Sequence, residues 1–261
     1  ALGTLNFDFG TEARRDSFTQ AMPDAGNNPN VPQMMVDYLL ENPYEAQSLI
    51  WTLNLDVTPI YAIVPDGAYS NIAYDRLISA LQGKIAGTVE MMSVPGVITG
   101  SVRLMSGQVV PTISPSLRGI YSWAVSSMIE SVLGTRPETN AELQEKYDIE
   151  SAGLRSFLSR IYYDLRNLGI TPADRALNYS ATNAFQVAQV IESATNGRLE
   201  LDTVNVKKSP ICRPDSECYD VELKFFNPLN TNIANKIYRF TVDVSDIIPV
   251  TVGEVRAWSM R

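Results

Sequence analysis

Cys212 and Cys218 are the two cysteines of this chain, and the run Cys212-Arg213-Pro214-Asp215-Ser216-Glu217-Cys218-Tyr219-Asp220 is its one local cluster with evident chemistry. Two thiolates with five residues between them can bracket one soft cation. Structural zinc takes four protein ligands, so one loop is two short. Carboxylates of Asp215, Glu217 or Asp220 complete the set in one reading. In another, the same loop of a second subunit brings two more thiolates across a two-fold axis and makes a zinc-linked homodimer. A hairpin disulfide and a pair of free thiols are the alternatives that need no metal. A second group, Arg155, Arg160, Tyr162, Tyr163 and Arg166, shares one helical stretch. Arginine and tyrosine bind peptides through hydrogen bonds and stacking, which makes these residues candidates for a peptide-binding face. A solvated helix surface has the same composition.

None of the 261 residues is histidine. That removes the imidazole on which serine and cysteine hydrolases usually rely, and the commonest ligand of catalytic zinc. No phosphate-binding glycine loop and no Gly-x-Ser-x-Gly elbow is present, so catalytic residues are assigned to none. Carboxylates are plentiful but no spacing nominates an acid and base pair, which leaves a carboxylate enzyme as a reading without named residues. Lys and Arg number 21 against 29 Asp and Glu, a net charge of −8 that repels phosphate backbones and anionic lipid. Nucleic acid and membrane are therefore not expected as partners. No apolar run approaches the roughly 20 residues that span a bilayer. Sparse cysteine fits a reduced, cytoplasmic compartment. The chain opens on Ala1 with no legible signal peptide and reads as a piece of something longer.

The elements that must position these residues follow from periodicity and turn chemistry. Helices are expected at Thr11 to Met22, after Asn30 with Pro32, and over Pro43 to Thr52, where Asn42 and Pro43 form a start signal and Ala46, Leu49, Ile50 and Leu53 share a face. Leu55 to Val64 reads as a buried strand, Tyr69 to Leu81 as helix, and Met91 to Ile113 as two or three short strands in a small hairpin sheet. Helix resumes at Ser122 to Leu133, and Thr139 to Tyr147 is polar helix or loop. The longest helical signal is Ser151 to Leu168, with Leu154, Leu158, Ile161 and Leu165 as its buried stripe, and Pro172 to Thr195 follows. From Leu199 the chain alternates with a period of two, giving strands Leu199 to Lys207, Tyr219 to Phe226, Lys236 to Val244 and Val250 to Ser259. The expected fold is α+β: a helix-rich first two-thirds, about 10–197, with a small hairpin region, then an antiparallel sheet of about four strands, 198–261, in one compact domain.

Several runs together carry a family resemblance. They are Ala1 to Leu5 with Phe9 to Phe18, Ser48 to Asn54 with Thr58 to Ile63, Tyr162 to Gly169, the Cys212 to Cys218 loop, and Asp243 to Asp246 with Pro249 to Arg256. They resemble the C-terminal domain of unknown function in cyanobactin maturation proteases of the PatA and PatG type. In that family the domain follows a subtilisin-like protease domain, which removes the leader of a ribosomal precursor peptide or cuts and macrocyclises its core. The resemblance implies that the catalytic triad lies in the preceding domain, and that partners are this protease domain, the precursor peptide, pathway enzymes or a second copy. It implies a place in patellamide-like biosynthesis with no activity attached; the missing catalytic sets and the half-site of thiols then point to a noncatalytic assembly or dimerisation role, with binding of the precursor or cyclic product, through a sheet edge or the Arg and Tyr helix face, as the alternative.

Overall fold

Two patterns of apolar residues, unbroken runs in the first half and strict alternation in the last quarter, sort the chain into two sheets. The computed structural model describes residues 1–22, 26, 28–164, 167–182, 190, 194, 199–230 and 232–260, and of 163 and 164 the backbone. The chain divides into two compact units, Leu2–Ala124 and Val125–Arg261, the second counted together with Ala1. The sequence places its internal boundary near 197, between layers of one domain, whereas the packing divides at 124/125.

The first unit holds strands β1 (Leu2–Asp8), β2 (Ile50–Leu55), β3 (Thr58–Ile63), β4 (Met91–Ser93), β5 (Gly96–Arg103), β6 (Val109–Pro115) and β7 (Tyr121–Trp123). They form one seven-stranded sheet in the order β5-β6-β3-β2-β1-β4-β7. Its pairs are antiparallel except β3 with β6, which run parallel. The expected small hairpin sheet is split in this larger one, β5 and β6 forming one edge and β4 lying between β1 and β7. Helices α1 (Glu12–Ala21), α2 (Pro32–Glu41) and α3 (Ser70–Ile85) belong to the same unit.

The expected helix at Pro43 to Thr52 is instead a 3-10 turn, Pro43–Ser48, running directly into β2. Asn42 does not cap it; its side-chain amide donates back to Tyr38 O at 3.1 Å. Trp51, Thr52, Leu53 and Asn54 are all buried, because β2 lies inside the sheet between β1 and β3 and is covered on both faces. Such an unbroken run also satisfies a helical spacing, and the indole fixes the strand: Trp51 Nε1 donates to Ala46 O at 2.8 Å. At the other side of the sheet β5 and β6 approach so closely that a Cβ on Gly96 would sit 2.3 Å from Ser114 O.

The second unit begins with helices α4 (Val125–Leu133) and α5 (Ala141–Ser159), a single π turn over Arg160–Asp164, and α6 (Pro172–Thr182). Asn140 caps α5, its side-chain oxygen accepting from the N–H groups of Glu142 and Leu143 at 3.0 and 3.2 Å. The expected stripe is core where it is described, Leu154, Leu158 and Ile161 being buried; Leu165 lies outside the described residues. Strands β8 (Glu200–Lys208), β9 (Cys218–Phe226), β10 (Asn235–Asp243) and β11 (Val250–Met260) form the expected four-stranded antiparallel sheet, ordered β11-β10-β9-β8. Val221, Leu223, Phe225, Tyr238, Phe240 and Val242 are buried, and α5 and α6 pack against β8 and β9. The fold is α+β, with strands as prominent as helices in its first half.

Candidate functional site

The alternation that buries one face of the C-terminal sheet puts charged residues on the other. Cross-strand registers align Asp220 with Thr241 and Glu222 with Arg239 between β9 and β10, and Lys207 with Asp220 and Asn205 with Glu222 between β8 and β9. Asp220 is fully buried. Its Oδ1 accepts from Thr241 Oγ1 at 2.7 Å, and its Oδ2, which takes no hydrogen bond among the described residues, lies 3.3 Å from Arg239 Nη1. The Arg239 guanidinium in turn stands 5.7 Å from the centre of the Trp258 ring. Lys207 Nζ reaches Glu222 at 2.7 Å and Lys224 Nζ reaches Asp202 at 3.0 Å. These six ionic side chains pair across strands. The sequence singled out only Asp220 among them; the signal for the rest was the polar half of the same alternation.

The cysteine loop joins β8 to β9. Cys218 opens β9 and is 1% exposed, Cys212 is exposed, and the two are joined as a disulfide with their Cα atoms 5.6 Å apart. A bonded sulfur is not a thiolate, so in this state neither cysteine is a ligand for zinc. Of the carboxylates named to complete the set, Asp220 is engaged as above, Glu217 Oε1 accepts from Tyr219 OH at 3.4 Å, and Asp215 is exposed in the loop. Among the described residues no group of three or more metal-binding side chains converges. Of the three readings of the pair, the structure takes the disulfide.

The loop is fastened to the β10–β11 connection. Ser209 N–H donates to Cys218 O at 2.9 Å and Val244 N–H to Glu217 O at 2.8 Å, while Glu217 N–H donates to Ser245 Oγ at 2.7 Å. Ser245 gives Asp243 Oδ1 its hydroxyl at 2.6 Å and its backbone N–H at 3.0 Å. Those two bonds, aided by the Ser216 hydroxyl and the Arg213 charge, hold the Asp243 carboxyl below the usual range. Burial, with the neighbouring Glu217 carboxylate, pushes the Tyr219 phenol up.

Of the candidates for a peptide face on the long helix, the structure describes Arg155, Arg160 and Tyr162, and it places these three in different surroundings. Arg155 is exposed on α5, whereas Arg160 starts the π turn and donates to the backbone oxygens of Asp202 and, at 3.2 Å, Leu201. There the β8–β9 register shifts, and the guanidinium satisfies the displaced carbonyls. Tyr162 is buried, its hydroxyl 3.5 Å from Ala181 O. The Tyr163 side chain and Arg166 lie outside the described residues.

At the sheet's margin β11 runs eleven residues as an edge strand. Val250 is 53% exposed, Trp258 36% and Met260 49%. An uncovered edge with unpaired backbone groups and apolar side chains can take up another extended chain.

This chain has a solved relative. Residues 1–100 match a family model described as PatG Domain, and residues 144–258 match one described as PatG C-terminal. A solved structure named PatG Domain of Unknown Function is 42% identical, with a TM-score of 0.85, over 100% of this chain and 98% of that one. No functionally curated protein matches. The chain belongs to the PatG-type domains of unknown function.

Proposed function

We propose that this domain is a noncatalytic accessory module of a subtilisin-like protease or macrocyclase in cyanobactin biosynthesis of the patellamide-like kind, and that its role is assembly. The likeness to a PatG domain along the whole chain supports the pathway. The observation that carries the role is β11, an eleven-residue edge strand whose outward apolar side chains are left in water. The disulfide shifts the weight of the assembly reading from shared thiolates to this edge.

The same edge favours a second reading, recognition of the precursor or the cyclic product as an added strand. Its helix-face version has no support from the placement of Arg160 and Tyr162, which are engaged by backbone and core.

Sedimentation of the chain from low micromolar to near-millimolar concentration, alone and with leader, core and macrocycle, tests both. Assembly requires self-association without peptide, or association with a pathway protein. A monomer that binds peptide makes the domain a recognition module, and a monomer that binds neither peptide nor pathway protein removes both readings.

A further inference from the structure

The sequence of β11 is self-complementary about its own centre. Its eleven residues, Val250–Met260, are centred on Val255. Antiparallel pairing with a second β11 about a two-fold axis through Val255 sets Glu254 opposite Arg256 of the other copy and Arg256 opposite Glu254. The same register opposes Val252 with Trp258, Val250 with Met260, Thr251 with Ser259 and Gly253 with Ala257. Acid meets base, apolar meets apolar, hydroxyl meets hydroxyl and small meets small. Moving the centre one residue either way sets Glu254 against Glu254 or Arg256 against Arg256, a like-charge opposition that disfavours pairing.

The geometry of the sheet agrees with that register. Against β10, β11 slips by an even number of residues, 253–255 standing opposite Phe240 alone, with Gly253 at φ 73°. An even slip keeps Val250 and Val252 on the face that carries Arg256, Trp258 and Met260, so each matched pair lies on one face of a continuous sheet. Within its own chain Arg256 stands directly opposite Arg239, whose charge is already given to Asp220. Arg256 is exposed, so its charge is open to a carboxylate of a second copy.

We infer that β11 is a homodimerisation edge, joining two copies into one eight-stranded antiparallel sheet with reciprocal Glu254–Arg256 pairs astride the axis. This rests on the assembly reading above and names its partner, surface and register.

The test is charge reversal and rescue, read as the dimer dissociation constant of the full chain by sedimentation equilibrium. Both side chains are exposed, and circular dichroism confirms that each variant keeps its fold. Glu254→Arg or Arg256→Glu converts two attractions into two repulsions and weakens the dimer by roughly ten- to thirtyfold. The double variant restores the match with signs exchanged and returns to within about threefold of the parent. A dimer indifferent to either single change, or a double variant no better than the singles, overturns the β11 register and leaves the assembly reading standing with its interface elsewhere. A strict monomer that still captures a pathway protein also overturns β11 pairing but keeps the accessory role; a monomer that captures none removes both.

Discussion

Replacing Arg239 by methionine isolates the buried carboxylate of Asp220, and its cost is calculable from the sheet. Asp220 is fully buried and keeps a hydrogen bond to one oxygen from Thr241, while its second oxygen depends on the guanidinium 3.3 Å away. Removing one partner of a buried ion pair costs about 3–5 kcal/mol. The Arg239 side chain is 17% exposed, so water can partly replace it, which favours the lower end. Loss of its contact with the Trp258 ring adds about 0.5–1 kcal/mol. Arg239→Met is therefore expected to destabilise by about 3–4 kcal/mol, roughly 6–16 °C in Tm for a chain of this size. Asp220→Asn retains an acceptor for Thr241 and leaves a guanidinium that can hydrate, so its cost is about 1–2 kcal/mol. The double variant no longer buries an unpaired charge and is expected near 2–3 kcal/mol, well short of the sum. Urea unfolding followed by circular dichroism and by tryptophan fluorescence measures all three, with Trp258 reporting from beside the lesion. An Arg239→Met cost below about 1 kcal/mol, or strict additivity, would refute the dependence of Asp220 on its partner.

Mass analysis after alkylation without reductant is expected to find no free thiol, and Cys212→Ser with Cys218→Ser to lower stability by about 2 kcal/mol from the small closed loop; two alkylated cysteines would contradict the bonded pair. Gly96→Ala forces a methyl group against Ser114 O and is expected to cost more than about 2 kcal/mol by thermal unfolding, whereas a neutral result would show that the β5–β6 spacing can relax. The Asp243 carboxyl titrates below its unfolded range, so it stabilises the fold above about pH 4 and that contribution is lost as pH falls through the folded value. The stability gap between the parent and Asp243→Asn should narrow from pH 7 to pH 3, and a gap independent of pH would remove the effect.

The C-terminal sheet was legible because its central strands β9 and β10 alternate apolar with polar residues, and its boundaries emerged within a residue or so. The interior strand β2 was not, since Trp51 to Asn54 is buried on both sides and such a run carries no period of two. β1, Leu2–Asp8, fell outside every expected element although Leu2 and Leu5 are core. The two-residue turn Asp56-Val57 between β2 and β3 lacks the Asn-Gly chemistry that advertises a hairpin, even though Asp56 adopts φ 52°. For the site, the cysteine spacing identified the loop but left its oxidation state open, because thiolate, thiol and disulfide share one sequence. In the Arg and Tyr cluster the individual placements were not legible, because a helical run of such residues does not reveal that a π turn will send Arg160 to a β-bulge.

Ion pairs tie β8 to β9 and β9 to β10, and among the described residues none ties β10 to β11, where two arginines face each other and Arg239 meets only the uncharged ring of Trp258. Mechanical strength along the sheet is therefore graded. Tension applied at Met260 would unzip β11 rung by rung at low force, while the three-stranded remainder is clasped by one ion pair between β9 and β10 and two between β8 and β9.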